Sequence, residues 1–238
     1  MNREQQLVSV FVHLADTLTT EFEAIDLMQT LAETSRDVLP VEATGIALSD
    51  PRGRLRVLAT THPAAELLEL FEIQNSEGPC YDCFQSATPI VNLSVEESWQ
   101  RWPQFMACAA DAGYTSAHAF PLRLRDEVIG VMNLFCTSSV ELPEDDIGVA
   151  QGLCDIATIG LLQERAVREK HLIAEQLQAA LNSRIQIEQA KGILSERLAV
   201  PLDEAFVMMR KHARANNLRL ADAAAGVIQG QLVLPVEN

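Results

Sequence analysis

Cys80 and Cys83 form a C-x-x-C motif, a spacing suited to thiol chemistry or metal binding. Pro79 predicts that a helix begins at the motif, and the dipole at a helix N-terminus can lower the pKa of a thiol. No second C-x-x-C follows, and neither His62 nor His118 has ligand-like spacing, so we expect no metal site. Buried helix cysteines are the simplest interpretation, and a redox role stays open.

His118 lies in an apolar, strand-like segment. It could face a ligand or coordinate heme, although a histidine satisfied within the core is the simpler interpretation. The chain contains no G-x-x-x-x-G-K-[ST], G-x-S-x-G or H-E-x-x-H motif, so nucleotide hydrolysis and the common hydrolase sites have no support. We therefore expect no catalytic residue, no enzyme activity and no cofactor.

A second group of candidate residues lies near the C-terminal end, where cations accompany amides along helical patterns. Gly192 is unusual there, because a glycine in a helix interior costs roughly 1 kcal/mol relative to alanine. This cost suggests that something packs close to the backbone. The candidates are Arg184, Gln189, Lys191, Gly192, Arg197, Arg210, Arg214, Asn217 and Arg219.

The net charge of −15 is distributed unevenly along the chain. Residues 1–180 hold 11 Lys and Arg against 27 Asp and Glu, whereas residues 184–219 hold seven against four. An acidic body repels nucleic acid, so the mildly basic segment indicates selective recognition of a polyanion. Aromatic residues are nearly absent from this segment, which argues against a general single-strand binder.

The elements that must position these residues are strands mixed with helices in the first two thirds of the chain. Apolar residues with helical spacing predict two helices over residues 3–38. Strand-like runs occur at residues 43–48, 55–59, 89–93, 116–122 and 128–136. The last of these runs is apolar and long enough to be a central strand, so the pattern predicts a sheet covered by helices.

Four motifs in this region together resemble the GAF sensor domain: E-G-P-C, R-W-P-x-F, G-Y-x-S-x-x-x-x-P-L-R and I-G-V-M-N-L-F. The resemblance covers about residues 20–163 and implies an α+β fold, with an antiparallel sheet and packed helices. It also implies a pocket for an unknown small molecule. The candidate sensor-pocket residues are Cys80, Cys83, His118, Phe120 and Met132.

From Glu144 onward the pattern predicts one long helix, with no Pro or Gly between Leu161 and Lys191. Coiled-coil spacing links Leu162, Ala166, Ile173, Leu177 and Ala180, with Lys170 at a seam position. We therefore expect a homodimer formed through this helix and through the N-terminal helices. A passive spacer is the alternative.

Three further segments follow at helical spacing: R-I-x-I-E-Q-A-K-G-I-L, then D-E-A-F-x-x-M-R-x-x-A-R-x-N-N, then L-x-D-A-A. Over about residues 180–230 they resemble the ANTAR domain, an RNA-binding module of bacterial transcription antiterminators. The resemblance implies a three-helix bundle that binds tandem stem-loops in mRNA leaders. It assigns the candidate cations and amides to RNA contacts, without DNA as a partner.

The expected domains are a GAF sensor domain at 1–163, a coiled-coil linker helix at 164–180, an ANTAR bundle at 181–230 and a tail at 231–238. One alternative is a redox enzyme that resembles the GAF-fold methionine sulfoxide reductases. Others are a dimerisation module and a DNA reader, whose recognition helix would carry only Arg219 as a cation. No apolar run reaches the ~18 residues of a membrane span, and the five cysteines are irregularly spaced, so we expect a cytoplasmic protein.

Overall fold

The computed structural model describes residues 3–17, 23–125, 127–138 and 141–232. The predicted tail therefore lies outside the described residues from position 233 onward. The chain forms two compact units, Met1–Arg165 and Ala166–Asn238. Within the described part of the chain, no helix is both long and apolar enough to cross a membrane.

Unit 1 contains most of the secondary structure. Its elements are α1 (Arg3–Thr17), α2 (Ala24–Val38), β1 (Ala43–Ser49), β2 (Leu55–Thr60), α3 (Pro63–Asn75), α4 (Pro79–Ser86), α5 (Val95–Arg101), α6 (Pro103–Asp111), β3 (Ser116–Leu124), β4 (Glu127–Cys136) and the first part of α7 (Glu144–Leu198). Unit 2 contains the remainder of α7, then α8 (Leu202–Ala215) and α9 (Leu220–Ile228).

Four antiparallel strands form one sheet in the order β2-β1-β4-β3. Strand β4 is buried from Ile129 to its end, which confirms that the longest apolar run is central. Gly130 allows β1 to approach closely, because a Cβ at this position would collide with the carbonyl oxygen of Ala47. The α+β fold with an antiparallel sheet is thus confirmed.

The run at residues 89–93 does not form a strand. Only Ile90 pairs with the sheet, exchanging 2.9 Å backbone hydrogen bonds with Ala119 in a single bridge. Pro89 has no N–H to donate, and Asn92 has a φ of 53°, which ends the extended conformation. The predicted strand at 89–93 is wrong because the missing N–H of Pro89 and the backbone conformation of Asn92 prevent a short apolar run from extending along the sheet.

Alternation along the strands divides the core of unit 1 between the two faces of the sheet. One face packs against α2 and α7, where Leu31, Met132 and Leu153 are buried together. The other face packs against α3, α4 and α6. There Phe105 and Phe135 belong to one buried cluster, while the cysteines of α4 belong to another.

Unit 2 is held together by small apolar side chains from its three helices. The buried set comprises Ala190, Leu194, Ala205, Met209, Ala213, Ala223, Ala224 and Val227. Alanines at these contacts let the helix backbones approach closely, so a compact bundle forms with few large side chains. Phe206 is only partly buried and packs against this cluster.

Candidate RNA-binding surface and sensor interior

A basic face runs along α8 in unit 2. Val207, Arg210, Lys211 and Arg214 line a depression of about 320 Å³ on this face. They share the face because residues three and four positions apart are neighbours on a helix surface. The depression thus combines the apolar side chain of Val207 with three cations, a combination that suits a base edge or a phosphate.

Lys191 lies on α7 beside α8, and its ammonium group makes contacts within the chain. The Nζ atom lies 2.9 Å from Glu188 Oε2 and 5.6 Å from the centroid of the Phe206 ring. The side chain is only 16% exposed. Since Phe206 and Arg210 are four residues apart on α8, Lys191 adjoins the basic face through Phe206.

Gly192 is exposed, and a Cβ added there would meet no atom of the described chain within 4 Å. The expectation that something packs close to its backbone is therefore not met by any described residue of the chain. The exposed backbone leaves room for a second molecule instead.

The remaining candidates in unit 2 are exposed side chains outside the α8 depression. Arg184, Gln189 and Arg197 lie on α7. Asn217 has a φ of 53° in the turn between α8 and α9. Arg219 donates hydrogen bonds of 2.8 and 3.1 Å to Asp222, and this pairing lowers the pKa of Asp222. Of the cations in the predicted set, only Arg210 and Arg214 line the same depression.

Sequence reasoning omitted Val207 and Lys211 from the candidate site. Both lie within four residues of Arg210 or Arg214, so helical spacing could have identified them. Val207 is 62% exposed on a helix that buries its other face. An exposed apolar residue among cations is the signal that was missed.

The five predicted sensor-pocket residues do not form one pocket, because the sheet separates them. Cys80 and Cys83 are buried on the α4 side, with Ala119 and Val131. Phe120 and Met132 are buried on the opposite side, against α2 and α7. Successive residues of a strand point to opposite faces, so Phe120 and Ala119 cannot line one cavity.

His118 lies at the edge strand β3 and is 2% exposed. Its Nδ1 accepts a 3.2 Å hydrogen bond from the Asn92 N–H, and so the proton of the neutral ring lies on Nε2. Burial lowers the pKa of His118 to about 4. The ring lines a cavity of about 380 Å³, whose other lining residues are Asn92, Leu93, Ser94, Val95, Glu97, Ser116 and Glu141.

The two cysteines of the C-x-x-C motif are free thiols. Cys80 and Cys83 are both fully buried. Burial raises the pKa of Cys83 to about 12 and that of Cys80 well above its ordinary value. The sequence suggested that the helix N-terminus could lower the pKa of a thiol. In the structure, the desolvation of the buried thiols outweighs the helix dipole, and both pKa values are raised.

Family models match both parts of the chain. A GAF domain model (GAF_2) matches residues 23–162, and an ANTAR domain model matches residues 175–228. The chain belongs to the GAF domain family and carries an ANTAR domain after its GAF domain. The ANTAR domain implies an RNA-binding antitermination regulator, and the GAF domain implies a sensor. This architecture indicates a regulatory protein.

Solved structures with the same fold include GAF domains of several proteins. The GAF domain of an Acinetobacter phosphoenolpyruvate-protein phosphotransferase has a TM-score of 0.53 and 16% identity, covering 70% of this chain and 98% of its own. The free methionine-R-sulfoxide reductase of Neisseria meningitidis has a TM-score of 0.53 and 15% identity, covering 70% and 95%. These identities show the fold alone. No curated protein sequence matches the chain.

Proposed function

We propose that this chain is a dimeric, signal-responsive RNA-binding regulator that stabilises paired stem-loops in nascent mRNA and so prevents transcription termination. The observation that carries the proposal is the basic, partly apolar face of α8 within a matched ANTAR domain. The chain as a whole has a net charge of −15. Its RNA contacts must therefore be concentrated on a small surface, which favours selective binding.

The proposed RNA contacts use guanidinium groups in place of aromatic platforms. Arg210 and Arg214 can stack on splayed bases and bind phosphates, while Val207 supplies apolar contact. Lys191 is positioned beside them through Phe206. The open backbone at Gly192 lets RNA approach α7 closely. Arg184, Gln189, Arg197, Asn217 and Arg219 are the proposed outer contacts.

Dimerisation is supported by an exposed apolar stripe on α7 in unit 2. Ile173, Leu177, Leu181 and Ile185 follow one another at intervals of four residues and are 50–61% exposed. Burying the exposed part of each side chain in an interface would contribute roughly 1 kcal/mol to the free energy of dimerisation. A second copy of the same helix is the proposed partner, because the predicted coiled-coil seam runs through Ile173 and Leu177.

The proposed input is a small molecule bound by the GAF domain. The support for it is the cavity that His118 lines, together with the buried His118 Nε2–H, which has no acceptor among the described residues. A bound acceptor group would satisfy this donor. The identity of the ligand is left open.

The experiment that tests RNA recognition uses the full chain with tandem-hairpin RNAs selected from a randomised pool. We expect RNA affinity to fall about 10- to 50-fold between ~50 and ~200 mM salt, if about three phosphate contacts release counterions. Duplex DNA of matched sequence should bind far more weakly. Equal affinity for both nucleic acids would reject the proposal, as would RNA affinity that does not respond to salt.

The redox-enzyme alternative has support only from fold. The free methionine-R-sulfoxide reductase of Neisseria meningitidis has this fold at 15% identity, and such a likeness shows the fold alone. Cys80 and Cys83 are fully buried, whereas a catalytic thiol must reach its substrate. The regulatory function is therefore the one we propose.

A further inference from the structure

Two glutamates of α3 are buried in the interior of unit 1, beside a cysteine and an asparagine. Glu69 and Glu72 are 0% and 1% exposed. Cys80 of α4 and Asn133 of β4 are also fully buried. Buried carboxyl groups are paired, bind a metal ion or stay protonated, and burial raises the pKa of Glu69 to about 7 and that of Glu72 well above its ordinary value. Their position therefore requires an explanation.

The four side chains form one connected cluster. Asn133 Nδ2 donates a 2.7 Å hydrogen bond to Glu69 Oε1, and the Cys80 N–H donates a 2.9 Å hydrogen bond to Glu72 Oε1. Cys80 Sγ lies 4.0 Å from Glu69 Oε2. One oxygen from each glutamate and the sulfur of Cys80 lie within 4.8 Å of one another. The three groups can therefore converge on one ion with small side-chain adjustments.

Two glycines provide the space for the carboxylates. A Cβ at Gly45 of β1 would collide with the carboxylate of Glu69, and a Cβ at Gly78 would collide with that of Glu72. Gly78 has a φ of 140°, a conformation that favours glycine. The backbone on both sides of the cluster is thus shaped around the two acids.

The cluster also contains two acceptor atoms without donors. Glu72 Oε2 and Asn133 Oδ1 are buried and have no hydrogen-bond partner among the described residues. Asn133 belongs to a different element and is not an acid, so its unsatisfied oxygen is an observation independent of the two glutamates. A buried acceptor without a donor is unfavourable, and a bound cation is one way to satisfy such an oxygen.

We propose that Glu69, Glu72 and Cys80 bind a divalent transition-metal ion such as Zn²⁺, with the Asn133 amide held beside them by its hydrogen bond to Glu69. Two carboxylate oxygens and one thiolate suit Zn²⁺, which accepts both oxygen and sulfur, whereas Mg²⁺ and Ca²⁺ take oxygen alone. Binding displaces the thiol proton and any carboxyl proton to solvent. With all three ligands ionised, the ion reduces the charge of the buried site from −3 to −1.

The sequence expectation of no metal considered only cysteine and histidine spacing. The proposed site combines one cysteine of the C-x-x-C motif with two glutamates, and it does not include Cys83. It concerns unit 1 and is independent of RNA binding, so either proposal can fail without the other.

The test is a Co²⁺ titration of the full chain after dialysis against a chelator. We expect a thiolate-to-cobalt charge-transfer band in the near ultraviolet that saturates at one equivalent and is abolished by Zn²⁺. Cys80→Ser should lose the band, while the matched control Cys83→Ser should retain it. Glu72→Gln should weaken Co²⁺ binding on the order of 100-fold or more, since even groups that only orient a metal ligand contribute 10- to 100-fold.

Circular-dichroism melting of each metal-free variant shows whether it is folded. If one of Cys80→Ser and Glu72→Gln does not fold, the other decides, because the chain has five free cysteines and the band of the unmodified chain does not show which one binds. Absence of that band would overturn the proposal. So would a band that survives in folded Cys80→Ser, or one that is lost in folded Cys83→Ser.

Discussion

Substitution of Gly192 tests RNA contact separately from the stability of unit 2. An added side chain meets no described atom, and leucine has a higher helix propensity than glycine by roughly 0.5–1 kcal/mol. We expect Gly192→Leu to leave the melting temperature unchanged or slightly raised. Because RNA is proposed to approach this backbone, the variant should lose at least about tenfold in RNA affinity, or ~1.4 kcal/mol.

Gly148→Leu is the matched control for that variant. Gly148 also lies on α7 with open space around it, but in unit 1. RNA affinity should be unchanged in this variant. If Gly192→Leu binds RNA as the unmodified chain does, α7 makes no close contact at this position.

His118 should make the stability of the protein depend on pH. Burial lowers its pKa to about 4 from 6.5, so the unfolded chain binds the proton first as the pH falls. The neutral ring therefore makes its full contribution to the free energy of unfolding above about pH 6.5. This contribution is lost progressively as the pH falls from about 6.5 to 4. The shift corresponds to at most about 3 kcal/mol of unfolding free energy.

The measurement is urea unfolding at about pH 7 and pH 4 for the unmodified chain and for His118→Gln. Glu97 and Glu141 line the same cavity, and comparing the two proteins cancels most of their effect. The unmodified chain should lose more unfolding free energy on acidification than the variant loses. An equal loss in both would show that His118 is not held neutral by burial.

The residues of the proposed metal site show what sequence reasoning cannot reach. Glu69 and Glu72 lie on a helix with mixed polar and apolar positions, where acids are normally assigned to the solvent side. Their burial depends on space left by Gly45 and Gly78, which face Glu69 and Glu72 respectively. The sequence alone does not show that these glycines lie beside the two glutamates. Only the tertiary arrangement brings these residues together with Asn133.

At the scale of elements, the apolar stripe of α7 is the feature that most needs a partner. Replacing Leu177 with lysine places a charge at the centre of the stripe, so the dimer should dissociate. We expect light scattering to show a monomer, or a dimer weakened at least about tenfold. Tandem-hairpin RNA should then bind more weakly, because two linked bundles no longer bind together.

Leu67→Lys is the matched control. Leu67 is 69% exposed on α3, outside the stripe. This substitution should therefore not alter the molecular mass measured by light scattering or the RNA affinity. Should Leu177→Lys and Leu67→Lys both remain fully dimeric, the stripe is not the dimer interface.

Secondary structure was predicted best where periodicity was long. The central run over 128–136 and the long helix after Glu144 are both present, because many residues support each pattern. The run at 89–93 was too short to outweigh Pro89 and the positive φ of Asn92. The grouping of His118 with Cys80 failed for a different reason, since it ignored the two faces of the sheet.

At the scale of the whole molecule, charge and domain order support the same function. The chain is acidic overall, yet residues 184–219 carry seven Lys and Arg against four Asp and Glu. This basic segment falls within the matched ANTAR domain, which follows the GAF domain. This order of a sensor domain followed by an RNA-binding domain is consistent with the proposed regulator, whose output would be a change in RNA structure.

The most direct test of that output is terminator read-through in a reconstituted transcription reaction. The template carries a selected tandem-hairpin sequence overlapping an intrinsic terminator. We predict that the full chain, tested with and without extracts containing its signal, increases read-through, and that Gly192→Leu does so less than Gly148→Leu. If the chain binds the transcript under the assay conditions and read-through still does not rise, the antitermination account is contradicted.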